Sequence, residues 1–266
     1  MASRSATTSS DPFAARFRAL RERGRRALVV YCTAGHPDAG RSLALLQGAE
    51  RAGADVIEVG VPFSDPLADG PIIQASSQRA LEQGMTFDRA LELIARAKLG
   101  VPVVLFTYLN PLLAAGEDAL TRAAAAGAHG VLVTDLPVGA DPPLEARIAA
   151  SPLAFIRLVA PTTPTVRMKE IASHGRGFVY LISRLGVTGV QEGIAGDLAA
   201  TIARLRGATK LPVCVGFGIS TPAQAAEVGR LADGVVVGSA VVRAAGESVD
   251  AAVKLIASMR SALDNS

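Results

Sequence analysis

Short apolar runs and longer alanine-rich amphipathic stretches alternate along almost the whole chain. The runs lie near 27–33, 55–61, 102–108, 130–136, 153–160, 178–183, 212–217 and 234–238. Each is long enough for one strand and too short for a helix. They are nearly continuous in Val, Ile and Leu, so both faces of the resulting sheet are expected to be buried, as in a parallel sheet covered by helices. A short amphipathic helix is expected ahead of the first run, around Phe13 to Arg23. Three similar joints, Ala52-Gly53-Ala54-Asp55, Ala126-Gly127-Ala128-His129 and Leu231-Ala232-Asp233-Gly234, each lead from a helix end into a valine-rich run. Glycine there can take the left-handed conformation that ends a helix, which assigns the joints to the N-terminal, structural rim of the sheet. Eight βα units are compatible with an open doubly wound sheet, but closure removes both exposed edges. The reading adopted is a single (β/α)8 TIM barrel with an extra N-terminal helix. No linker or shift in composition divides residues 13–266, which are read as one catalytic barrel domain following a disordered tail, 1–12.

In such a barrel the chemistry gathers on the loops that follow the strands, so a charged residue at a strand's C-terminal end needs a reason. Glu58 stands within IEVGVPFSDPLADGP, residues 57–71, between Ile57 and Val59 and shortly before Pro62. A buried carboxylate without a partner is costly or takes up a proton as its pKa rises, and either state suits a general acid or base. The alternative is a structural carboxylate paired with an Arg or Lys from elsewhere in the fold. Asp65 and Asp69 follow in a loop dense in proline and glycine; a second carboxylate there could fix an N–H or O–H of a substrate, or simply cap a turn or the helix after Pro71. In the run near 178–183, Tyr180 shares a side with Phe178 and Ile182, which assigns its hydroxyl to the barrel mouth or its ring to the core. The segment SRLGVTGVQEGIAG, 183–196, carries four glycines and is a candidate lid. GFGIS at 216–220 and VGS at 237–239 put glycines after the last two strands, where barrels frequently bind phosphate on backbone N–H groups.

Composition narrows the function classes. The formal charge is +3, but 27 basic residues stand against 24 acidic ones with the signs interspersed, which argues against nucleic acid. The cluster Arg16, Arg18, Arg21, Arg23, Arg25 and Arg26 is read as the solvated face of the first helix. Cys32 and Cys214 lie inside apolar runs with no CxxC or other metal-type spacing, so buried thiols in a reducing cytoplasm are expected, with no disulfide and no metal site. The opening MASRSATTSS lacks the apolar stretch of a secretory signal, and no run approaches the roughly 20 residues that span a bilayer. His129 belongs to the structural rim, and His174 to a helix end where it complements the dipole.

Taken together, IEVGVPFSDPLADGP at 57–71, YLISRLGVTG at 180–189, GFGIS at 216–220 and VGSAVV at 237–242, supported by TAGHP at 33–37 and VLVTDLP at 131–137, closely resemble the tryptophan synthase alpha chain family. The resemblance covers nearly the whole chain after the tail. It implies a βα barrel that cleaves indole-3-glycerol phosphate to indole and glyceraldehyde 3-phosphate without metal or organic cofactor. It implies Glu58 as the proton shuttle, Asp69 as the group that binds the indole N–H, and Tyr180 as the tyrosine beside the glycerol chain. It further implies phosphate contacts at Gly189, Gly218, Gly238 and Ser239, an indole pocket lined by Tyr108 and Phe217, and a lid in which Thr188 bonds Asp69 on closure. The implied partner is a pyridoxal-phosphate β subunit, in an α2β2 tetramer, that receives indole through a tunnel; Asp65, the lid and Asp135-Leu136-Pro137 match segments at or near that interface. His36 in TAGHP departs from the family pattern, since some members carry an aspartate there that takes part in closure or signalling between subunits. Three other readings remain: a stand-alone lyase releasing free indole, a sugar-phosphate isomerase or epimerase, whose usual Lys, Cys or His groups are not evident at the strand ends, and a non-catalytic regulatory subunit.

Overall fold

A computed structural model describes residues 11–183, 192–216 and 218–266, with only the backbone described for 192–196. Its strands are β1 (Ala27–Thr33), β2 (Val56–Gly60), β3 (Val103–Thr107), β4 (Gly130–Val133), β5 (Ala154–Phe155), β6 (Arg157–Val159), β7 (Val179–Ile182), β8 (Val213–Gly216) and β9 (Gly234–Val237). These occupy the eight apolar runs, because Val and Ile pack well on a pleated surface whose two faces are both dry. The run near 153–160 is shared by β5 and β6: its ladder to β4 stops at Phe155 and its ladder to β7 starts at Arg157. That offset is the stagger that closing a barrel requires. Every pairing is parallel, in the order β5-β4-β3-β2-β1-β9-β8-β7-β6. Both ends of the order belong to one chain segment, and between them the Ile156 N–H donates to the Val131 carbonyl at 2.9 Å. The sheet is therefore closed, an α/β barrel of parallel strands.

Alternation along the strands divides the apolar residues into two cores. Leu28, Val30, Ile57, Val59, Val103 and Leu105 face the surrounding helices. Val29, Val56, Val104, Leu132, Ile156 and Cys214 fill the lumen. The base of the lumen is stopped by the N-terminal helix Pro12–Glu22, which begins at Asp11 because that carboxylate accepts the Phe13 N–H at 2.9 Å and Pro12 suits the first helical position. Phe13, Phe17 and Leu20, at helical spacing, are buried there, and the rings of Phe13 and Phe17 each lie 5.9 Å from that of Phe178.

Two of the three joints at this rim have the expected form, with Gly53 at φ +98° and Gly127 at φ +103°. The third does not. Ala232 is extended, and Gly234 is the first residue of β9, where a Cβ would lie 2.7 Å from the Cys214 sulfur. Glycine is used at that position for space inside the barrel, not to end a helix. Cys32 and Cys214 are buried free thiols. The Nδ1 of His129 accepts the Val103 N–H at 3.2 Å at the same rim, and His174 follows helix Thr165–Ser173 as its C-cap. Among the described residues no helix is long and apolar enough to cross a membrane.

The arginine cluster is only partly a solvated face. Arg18, Arg21 and Arg23 are exposed, but Arg16, Arg25 and Arg26 are half-buried and engaged. Arg26 Nε donates to the Gly229 carbonyl, and Arg25 reaches Asp264. Arg16 donates at 2.8 Å to Asp55, a carboxylate only 2% exposed. The other Asp55 oxygen accepts from the Leu28 N–H and from Arg260, both at 2.9 Å. One carboxylate thus ties the N-terminal helix, β1, the start of β2 and the C-terminal helix Val249–Asp264 together. Arg260 is 6% exposed and also reaches Asp264 at 2.6 Å, so removing Asp55 takes one of its two carboxylates and leaves the Leu28 N–H and Arg16 without theirs; breaking a buried pair typically costs about 3–5 kcal/mol. Asp55→Ala is expected to lower unfolding stability by about 3 kcal/mol or more, measured by urea denaturation. A loss below about 1 kcal/mol, the range of an exposed pair, would show that the hub does not hold the barrel base.

Candidate active site

At the C-terminal ends of the strands lies a cavity of about 590 Å³. Its walls bring together Glu58 from β2, Tyr180 from β7, Asp69 from the loop after β2, Gly218 after β8, and Gly238 and Ser239 after β9. Residues widely separated in the chain converge here because all of them lie in, or follow, strands of one closed sheet.

Glu58 points into the lumen, one alternation above Val56, and is 1% exposed. Neither carboxyl oxygen has a hydrogen-bond partner among the described residues, and no Arg or Lys among them pairs with it. The structural alternative of a paired carboxylate is therefore not the arrangement observed. Burial alone pushes its pKa from 4.5 up to about 8. A carboxyl group in this state is neutral at neutral pH and, once it has given up its proton, becomes an unusually strong base.

Asp69 caps nothing: helix Pro71–Glu82 starts from Gly70, and no side chain caps it. The Asp69 carboxylate instead accepts from the Tyr108 hydroxyl at 3.0 Å, and that hydroxyl accepts the Ala68 N–H at 3.0 Å. Burial raises Asp69 from 3.8 to about 6, with the Tyr108 hydrogen bond acting in the opposite direction. Tyr108 is itself buried, and burial followed by the adjacent Asp69 charge holds its phenol well above the usual range, so it is the donor in this pair. Its ring packs 5.2 Å from that of Phe63, and its hydroxyl joins the end of the loop to Asp69 on the cavity wall. Asp65 is exposed and accepts from Ser64. Asp135, after β4, accepts the Leu109 N–H at 2.7 Å.

The lumen residues under the cavity are arranged by size. A Cβ on Gly60 would overlap the Tyr31 hydroxyl, and one on Gly216 that of Tyr180, so each tyrosine lies across a strand made bare by glycine. Tyr31 and Phe106 meet edge to face at 5.2 Å. Tyr31, Phe106, Ile73, Ser183, Ser220 and Arg243 line the cavity and were not singled out from the sequence. Tyr31 was legible, since it shares the lumen side of β1 with Ala27 and Val29; Ile73 and Arg243, on helices, carry no such signal.

On the other side, Gly218 takes φ +92° and lets the chain turn from β8 towards helix Pro222–Leu231. Helix Ser239–Glu247 begins at Gly238 with no side-chain cap, so its first-turn N–H groups are not satisfied by a capping side chain where Gly238, Ser239 and Ala240 border the cavity. Gly189, Thr188 and Phe217, and with them most of the expected lid, lie outside the described residues. Among the described residues no group of three or more His, Cys, Asp or Glu is placed to hold a metal ion. His36 is buried beside helix Ser239–Glu247, with the Val242 carbonyl as partner and its pKa lowered chiefly by burial.

Known proteins match this chain over most of its length. The family model described as "Tryptophan synthase alpha chain" matches residues 17–265. A tryptophan synthase alpha chain of Citrifermentans bemidjiense is 50% identical over 231 residues, 86% of each chain. One from Caulobacter sp. (strain K31) is 46% identical over 251 residues, 93% of this chain and 90% of that one. Among solved structures, tryptophan synthase subunit alpha from Legionella pneumophila superposes with a TM-score of 0.88 at 33% identity, covering 97% of this chain and 100% of that one. A chain of the aminoacrylate-bound form of tryptophan synthase from M. tuberculosis gives 0.86 at 32% identity, over 96% and 100%. With matches of this extent in both sequence and fold, the chain belongs to the tryptophan synthase alpha chain family, whose members are carbon–carbon lyases.

Proposed function

We propose that the cavity binds indole-3-glycerol phosphate and cleaves it to indole and glyceraldehyde 3-phosphate, with Glu58 moving the protons. The observation that carries this reading is a buried, unpartnered carboxyl group in the same cavity as a second raised carboxyl group and an uncapped helix N-terminus. Protonated Glu58 donates to the indole C3 carbon, giving an iminium that serves as an electron sink. The Glu58 carboxylate then takes the proton of the adjacent glycerol hydroxyl. As the C–O bond becomes a carbonyl, the C–C bond breaks and its electrons return to the ring, leaving indole, the aldehyde and protonated Glu58. Ionised Asp69 accepts the indole N–H and stabilises the positive charge on the ring. Tyr180 borders the glycerol chain, and Phe106 and Ile73 offer an apolar wall to the flat ring system. The phosphate is held by Gly218, Gly238 and Ser239, joined by Gly189, with Phe217 against the ring and Thr188 in a lid.

The indole goes to a pyridoxal-phosphate β subunit in an α2β2 assembly. Support comes from two exposed apolar side chains, Leu67 at 94% in the loop that carries Asp65 and Asp69 and Leu113 at 49% in the helix after β3, and from the match to a chain of M. tuberculosis tryptophan synthase. Indole formation measured with and without this subunit tests both parts. Turnover that rises and saturates with the subunit supports the assembly, high turnover without any effect of it favours the stand-alone lyase, and no indole in either case rejects the reaction.

Glu58→Gln is expected to reduce kcat by about 10²–10⁴-fold, while inorganic phosphate still binds. It also has a sign on stability that a structural carboxylate would not have. Because the folded-state pKa near 8 lies above the ordinary 4.5, ionisation opposes folding increasingly from pH 4.5 to 8 and not at all below. The variant should match the native chain at pH 4 and be the more stable of the two at pH 8; equal destabilisation at both would assign Glu58 to the framework.

The kcat/KM profile is expected to rise as Asp69 ionises near pH 6 and fall as Glu58 loses its proton near pH 8. The titratable groups about Asp69 are Tyr108, just after β3, Tyr31 and Tyr180 in the lumen, and Glu58 and Arg243 on the cavity wall. Tyr108→Phe removes the hydrogen bond that lowers Asp69, so the acidic limb should move to higher pH while the alkaline limb stays. An unmoved acidic limb would separate Tyr108 from Asp69.

A further inference from the structure

The described cavity wall has two carboxyl groups, Glu58 and Asp69, and a single permanent cation, Arg243. A dianionic ligand entering such a space meets negative charge unless a cation offsets it, and backbone amides supply only partial charges. Arg243 lies four residues after Ser239 in helix Ser239–Glu247. Helical side chains lean towards the N-terminus and cover the residue one turn earlier, so Arg243 is directed over Gly238, Ser239 and Ala240, the residues that border the cavity with it. Arg157 and Arg260 are committed to buried carboxylates. Arg243 is exposed and forms no ion pair among the described residues.

We infer that Arg243 binds the phosphate end of the substrate, adding a full charge with a forked donor geometry to the fixed amides of the 218 and 238–240 turns. The inference rests on the proposed reading of the cavity as a phosphate-ester site. Arg243 acts at the end of the ligand where no bond changes, so its contribution is the same in the ground state and the transition state. It therefore appears in KM and not in kcat. The sequence offers no glycine-type signature for it, which is why a search for phosphate turns passes over it.

The test compares the native chain with Arg243→Gln and Arg243→Lys, using indole-3-glycerol phosphate turnover and, separately, calorimetric titration with inorganic phosphate and with indole. Arg243→Gln is expected to raise KM about tenfold at unchanged kcat and to weaken inorganic phosphate by a similar factor, with indole affinity unchanged. Arg243→Lys should recover part of the loss. Added salt should raise KM in the native chain more than in Arg243→Gln. A KM and phosphate affinity within twofold of native, or an equal loss of phosphate and indole binding, would overturn the assignment. A native chain that forms no indole rejects the proposed reaction, and the phosphate titration still decides the role of Arg243.

Discussion

Everything at the active end of this barrel follows from the limited width of its lumen. Eight strands leave an interior just wide enough for side chains to fill, so each large inward residue needs a small one opposite or beside it. Phe13 fits against Gly130, Cys214 beside Gly234, Tyr31 across Gly60 and Tyr180 across Gly216. The lower layers are thereby closed, with the N-terminal helix as the stopper. Only above the layer of Tyr31, Glu58 and Tyr180 does the packing give way to a cavity. Glu58 is placed at the boundary between packed core and open site, where it is 1% exposed and no cation among the described residues reaches it.

The contrast between Asp55 and Glu58, three residues apart and almost equally buried at 2% and 1%, shows how environment divides similar groups between framework and chemistry. Asp55 meets two guanidinium groups and a backbone N–H, so its charge is compensated and it fastens both ends of the chain to the first two strands. Glu58 meets none among the described residues, and its protonated form is favoured by burial. A carboxyl group that is hard to ionise is a liability for folding and an asset for proton transfer, which is the trade expected where stability and activity compete at a site. Asp69 stands between these cases, with burial raising its pKa and one hydroxyl partner restraining it.

The side of the cavity proposed to bind the phosphate is built differently. Fixed backbone groups at the uncapped helix start would provide direction without the entropy loss of ordering side chains, while Arg243, exposed on the same helix, is the adaptable group in the proposed site. The apolar wall of Phe106 and Ile73 and the polar turns after β8 and β9 lie on one cavity, so a molecule with a flat apolar end and an anionic end can span it.

From the sequence alone, the eight strands and their parallel order were legible, because dry strands must be continuously apolar and helices between them must be amphipathic. Glu58 and Asp69 stood out as a charge inside an apolar run and a carboxylate in the proline-rich loop after it, although the pattern left a paired structural carboxylate and a simple cap open as alternatives. What the pattern could not supply was distance. That Glu58 has no cation among the described residues, that Asp55 has two, and that the Tyr108 hydroxyl reaches Asp69 depend on which strands become neighbours when the sheet closes. The division of one strand into β5 and β6, and the use of Gly234 for packing and not as a helix stop, come from that closure too. Local sequence specifies the period of burial along each element, but only tertiary structure decides which buried group finds a partner, and that decision separates the residues that hold this barrel from those that work in it.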